Sequence, residues 1–96
     1  MTDLEINKAL ALAIGWDKNL IDVEVWGEEP WIEIWDKPAR TWRVFDYRDW
    51  AVIGPIAERY NAFPWRTVDG WVSVLDYRFE NTPQRAIALA VIEARK

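Results

Sequence analysis

Cysteine and histidine are absent from this chain, and serine occurs once, as Ser73. Without cysteine there is no disulfide framework, no thiolate zinc site and no thiol nucleophile, and the chain suits a reducing cytoplasm. Without histidine the commonest general base is missing, and Ser73 falls inside a strand-like run with no visible base beside it. The four glycines, Gly15, Gly27, Gly54 and Gly70, are isolated from one another. Each reads as a cap, a turn or a kink, so no glycine-rich phosphate loop is present. No apolar run approaches the roughly 20 residues that span a bilayer, and the amino terminus lacks the charged-then-apolar order of a secretion signal. The expectation is a cytosolic protein that is not a conventional enzyme and carries no cofactor or metal.

One carboxylate arrangement keeps a metal or acid–base role formally open. Asp22, Glu24 and Glu33 alternate along two strand-like runs, and hard cations such as magnesium accept such ligands. Carboxylates alternating on an exposed strand are more often simply solvated.

Aromatic and apolar residues are abundant. Of 96 residues, 51% are hydrophobic and eight are tryptophan, enough for apolar burial to offset the entropy of ordering a small chain. The length leaves room for one core, so residues 1–96 read as a single domain. The net charge of −4 is unevenly spread. From Met1 to Asp36 nine acidic residues face only Lys8 and Lys18, a balance of −7, while the rest of the chain carries +3. A basic stripe for a nucleic-acid backbone is missing, so direct nucleic-acid binding is not expected. An acidic segment suits a basic partner surface instead, or merely a solvated one.

Periodicity places the elements. Thr2 and Glu5 form a capping-box pattern before the apolar positions Leu4, Ile6, Ala9, Leu10, Leu12, Ala13 and Ile14, which predicts a helix over 3–14. Ile21–Trp26 and Trp31–Trp35 alternate as strands on either side of a turn at Gly27–Pro30, giving an antiparallel hairpin, and a third strand fits Thr41–Phe45. Asp46 can cap a helical spacing of Trp50, Ile53, Ala57 and Tyr60, predicting a helix over 47–60 with a kink near Gly54 or a short first segment, because Pro55 removes a backbone donor. Phe63–Thr67 pairs with a long strand over Trp71–Phe79. Thr82 and Pro83 then open a helix that is apolar nearly all round from Ala86 to Ile92.

These elements predict an α+β fold: a mainly antiparallel sheet of about four or five strands with three helices, in the order α-β-β-β-α-β-β-α. One face collects Ile21, Val23, Val25, Ile32, Ile34, Trp42, Val44, Val72 and Val74. The other collects Trp26, Trp31, Trp35, Trp71, Leu75, Tyr77 and Phe79. A sheet apolar on both faces wants cover on both, which favours an α-β-α sandwich or a face covered by a partner chain.

The blocks "TDLEINKALALAIGW", "DWAVIGPIAERYN" and "ENTPQRAIALAVIEARK" resemble the small phage proteins grouped as the phage ABA-sandwich domain, and the related NinX-like phage proteins. The resemblance rests on Glu5 to Lys8, Gly15, Trp50, Gly54 to Ile56, Glu58 to Tyr60, and Thr82 to Ala90. It implies an α-β-α sandwich and a phage or prophage accessory protein, and it brings no catalytic residues. Asp22 to Arg43 departs from the family pattern, so the particular function of this chain is sought there.

Three binding readings follow. In the first, the chain inhibits or modulates a bacterial host protein with a basic surface, such as a defence component. Its contact residues are Glu24, Trp26, Glu28, Glu29, Trp31, Glu33 and Trp35, since tryptophans are frequent interface anchors. In the second, a pocket of aromatic rings with Arg43, Arg66 or Arg78 sequesters a nucleotide-like small molecule, which requires a concave site holding both a tryptophan and an arginine. In the third, an uncovered sheet face mediates self-association into a homo-oligomer.

Overall fold

A computed structural model of the chain describes residues 1–25, 27–73 and 79–95. The chain divides into two compact units, Met1–Asp46 and Tyr47–Lys96.

In the first unit the capping box forms as the sequence predicts. Thr2 Oγ1 accepts the Glu5 N–H at 3.2 Å and Glu5 Oε1 accepts the Thr2 N–H at 3.0 Å, starting helix α1 (Asp3–Ala13). Gly15, at φ +103°, ends it in a conformation that a side chain disfavours. Helix α1 buries Ile6, Asn7, Leu10 and Ala11, a narrow stripe at helical spacing, and leaves Leu12 50% exposed. The broad stripe expected from the sequence is therefore divided, with Leu12 on a flank. A 3₁₀ turn (Lys18–Leu20), capped by Asp17, leads into the sheet.

Strands β1 (Ile21–Glu24), β2 (Trp31–Asp36) and β3 (Thr41–Phe45) form one antiparallel sheet in that order. The predicted first strand is thus shortened at Glu24, and Trp26 lies outside the described residues. Register assigns the faces. Ile21 pairs with Ile34, Val23 with Ile32, and Ile32 with Phe45, so these side chains share one face. Ile32, Ile34 and Phe45 are buried there, and α1 packs against β2. Each fully buried aliphatic side chain, such as Ile6, Leu10 or Ile32, contributes about 1.5–3 kcal/mol.

The register corrects one expectation. Trp42 is paired with Trp35 and Val44 with Glu33, so Trp42 and Val44 stand on the tryptophan face and not with the isoleucines. The cause is the four-residue turn over 37–40, which closes through Arg40 at φ +52° and sets Asp36 opposite Thr41.

In the second unit, Asp49 and not Asp46 caps helix α2 (Trp50–Tyr60), accepting the Ala51 N–H at 2.9 Å. Tyr47, expected in this helix, precedes it and is buried. The helix continues through Pro55, so the short first segment does not occur. It ends on Asn61 in the left-handed region, with the Ala62 N–H bonded to the Ala57 carbonyl at 2.9 Å.

Strands β4 (Pro64–Thr67), β5 (Gly70–Ser73) and β6 (Phe79–Glu80) form a second antiparallel sheet. The single sheet of four or five strands is thus replaced by two sheets of three among the described residues. The long strand over 71–79 is not found either. Trp71 pairs with Glu80 and Val72 with Phe79, antiparallel, so Trp71 and Phe79 belong to different strands; Val74, Leu75 and Tyr77 lie outside the described residues. Gly70 is required at this junction. Its φ is +127°, and a Cβ there would sit 2.7 Å from the Glu80 carbonyl oxygen.

Helix α3 (Pro83–Ala94), capped by Thr82, buries Ala86, Ile87, Ala88, Ala90, Val91 and Ile92 against β5 and α2, as its all-round apolar pattern predicts. Arg85 ties the helix to the sheet through Glu80 at 3.1 Å. Burial works against the guanidinium's charge, but its bonds to Tyr47 and Glu80 prevail and hold its pKa above the ordinary arginine value.

Candidate functional site

With α1 packed over the isoleucine face of the first sheet, the opposite face presents a different chemistry. Strand alternation brings Asp22 and Glu24 from β1, Trp31, Glu33 and Trp35 from β2, and Trp42 and Val44 from β3 to the same side. Trp35 and Trp42 meet edge to face, ring centroids 5.5 Å apart at 63°. Trp31, Glu33 and Trp35 are half-buried, while Trp42 is 43% exposed and Val44 56%. The result is an aromatic ledge crossed by carboxylates.

One pair of charges on this ledge works against the sheet. Asp22 stands directly opposite Glu33, a like-charge pair across adjacent strands, and neither makes an ion pair with a described residue. Glu24, paired in register with Trp31, is half-buried and has an interaction of its own. Asp22, Glu24 and Glu33 do not form a three-carboxylate group able to hold a metal ion, and no such group occurs among the described residues.

Of the seven contact residues expected from the sequence, Trp31, Glu33, Trp35 and Glu24 share this face. Glu28 and Glu29 are exposed in the turn at its end, and Trp26 lies outside the described residues. Asp22, Trp42 and Val44 join the face without having been expected as contacts. Turn length was the signal for Trp42 and Val44: counting four residues between Asp36 and Thr41 sets Trp35 opposite Trp42.

Two concave regions bordered by described residues lie elsewhere. In the second unit, Arg66 and Trp71 pair across β4 and β5 and border a cleft of about 290 Å³, together with Thr67, Asp69 and Asn81. Thr67 Oγ1 is occupied there, accepting the Asp69 N–H and donating to the Gly70 carbonyl. Arg43 borders neither region, its Nε is held by Asp36 at 2.8 Å, and Arg78 lies outside the described residues. In the first unit, Lys8 and Leu12 of α1, Lys18, and Ile21 and Val23 of β1 border a groove of about 320 Å³.

No protein family, curated protein or solved structure matches the chain. Among the described residues the chain has an α+β fold with three α-helices and two three-stranded antiparallel sheets. No described helix is long and apolar enough to cross a membrane.

Proposed function

We propose that the chain acts by binding, and that the ledge of Trp31, Trp35 and Trp42 with Asp22, Glu24 and Glu33 takes a basic surface of a partner protein. The juxtaposition of Asp22 and Glu33 with the exposed Trp42 carries this reading: a like-charge pair that no cation among the described residues relieves, on one face with an accessible aromatic anchor, suits arriving cations and apolar stems together. Glu28 and Glu29 extend the negative field at the rim, where charges speed encounter more than they deepen affinity. The lack of histidine and cysteine supports binding over catalysis. The same acidity argues against a nucleic-acid partner.

From the phage resemblance the proposal takes a bacterial host protein as the partner, with an inhibitory or anti-defence role in the host cytoplasm. The α-β-α layering that the resemblance implies belongs to the same proposal. Tagged protein used as bait in host lysate, beside a variant carrying Asp22→Lys and Glu33→Lys, tests it. A stoichiometric basic protein lost from the variant supports the reading, and identical recoveries with both baits refute it.

A second reading rests on the Arg66–Trp71 cleft, which meets the requirement of a tryptophan and an arginine in one concave site. Trp71 would stack on a planar ligand while Arg66 pairs with its anion. Titration with a nucleotide, followed by tryptophan fluorescence, decides it: quenching lost in Arg66→Ala supports a ligand there, and an unresponsive protein removes it.

A further inference from the structure

Resting on the reading above, we infer that the partner supplies an extended segment alternating apolar and basic residues, which adds to the sheet along β1. Strand β1 is the first strand of its sheet, and among the described residues no strand pairs with its outer edge. An unpaired edge offers a row of backbone donors and acceptors to an incoming strand. The side chains flanking that edge differ on its two sides. Toward α1, Ile21 and Val23 line the groove with Leu12, and its volume of about 320 Å³ has room for aliphatic side chains of an added strand. Toward the tryptophan ledge, the same strand presents Asp22 and Glu24.

Charge fixes which way such a segment faces. Lys8 and Lys18 are the only basic side chains among the first 36 residues, and both border the groove. They disfavour basic residues on that side. Asp22 and Glu24 favour basic residues on the other side. Because side chains alternate, a slip of one residue would set lysines against lysines and apolar groups against carboxylates, so the sheet itself selects the phase. A second copy of this chain is a poor occupant: its own edge reads Ile21, Asp22, Val23, Glu24, and antiparallel self-pairing about Val23 would place Asp22 opposite the second copy's Glu24. The shortness of β1 and its acidic residues guard against indiscriminate pairing, and a basic–apolar strand satisfies both sides.

The test is an amide-resolved NMR titration of the whole chain with a capped peptide alternating valine and lysine. A valine–glutamate peptide and a non-alternating peptide of the same valine and lysine composition serve as controls. The expected result is perturbation centred on the amides of Ile21 to Glu24 by the alternating basic peptide alone, weakened about tenfold by Asp22→Lys and comparably by Leu12→Ser. Both substituted positions are exposed, so neither change threatens folding. Equal binding of the acidic peptide, of the non-alternating peptide, or no perturbation up to the peptide's solubility overturns the inference. If the basic peptides perturb Trp31, Trp35 and Trp42 and leave β1 unmoved, strand addition fails while the ledge remains the partner site.

Discussion

Trp35 and Trp42 lie directly opposite each other on neighbouring strands and meet edge to face at 5.5 Å. Such pairs contribute about 0.5–1.5 kcal/mol beyond the area they bury. Replacing each with alanine singly and together should therefore yield a coupling energy of about 1 kcal/mol in a double-mutant cycle read by urea unfolding. Near-ultraviolet circular dichroism should lose the same band in either single variant. Additive losses of stability would show that the two rings stand beside each other without supporting each other.

This pair also shows how far the sequence could be read. Within each strand, alternation placed Ile32 and Ile34 against Trp31 and Trp35 correctly, because that assignment needs only a period of two. Across strands it failed for Trp42 and Val44, because their face depends on the length and closure of the turn over 37–40, which within-strand periodicity does not report. The first and third helices were legible from Thr2 with Glu5 and from Thr82 with Pro83, where short-range hydrogen bonds and a fixed φ do the work. The start of α2 was not, because Asp46 and Asp49 are both acceptable caps and the burial of Tyr47 favours the later one. The division of Trp71 to Phe79 between two strands had no glycine or proline to announce it. The candidate ledge was half legible: its carboxylates and first tryptophans could be named, but not their placement opposite Trp42.

At the amino terminus, Glu5 links stability to pH. Its carboxyl accepts the Thr2 N–H and is bonded to the Thr2 side chain, and these bonds hold its pKa below the ordinary value of 4.5. A carboxylate with a depressed folded pKa contributes stability that is present above its unfolded pKa and is lost as pH falls through the folded one. Glu5→Gln should therefore unfold at nearly the same denaturant concentration as the parent in strong acid and at a lower one near neutrality. A constant difference between the two across that range would contradict the linkage.

Gly70 sits where no side chain fits. A Cβ would approach the Glu80 carbonyl to 2.7 Å, and φ of +127° is strained for any L residue. Gly70→Ala should destabilise the second unit by about 2 kcal/mol or more, with hydrogen exchange rising at β5 and β6 first. By contrast, Asn61→Gly, at a left-handed helix end, should be near neutral, while Asn61→Ala should cost about 1 kcal/mol. Thermal unfolding of the three variants checks the ranking, and a harmless Gly70→Ala would show that the β5–β6 approach is looser than its geometry indicates.

The opposition of Asp22 and Glu33 yields the prediction that most directly separates a working surface from a solvated one. Two carboxylates facing each other across adjacent strands repel, and replacing one by lysine turns the repulsion into attraction. Asp22→Lys should therefore stabilise the free chain by about 0.5 kcal/mol at low salt, with the gain shrinking as salt is added. If the ledge receives a basic partner, the same substitution should weaken that complex and slow its formation, and the association rate should fall with ionic strength less steeply for the variant than for the wild type, because Glu24, Glu28, Glu29 and Glu33 remain. Stability and binding would then move in opposite directions from one substitution, as expected where a sheet tolerates an unfavourable pair for the sake of a contact. A variant that is more stable and binds the partner as well as the parent would assign Asp22 and Glu33 to the solvated surface and leave the tryptophans alone to carry the interaction.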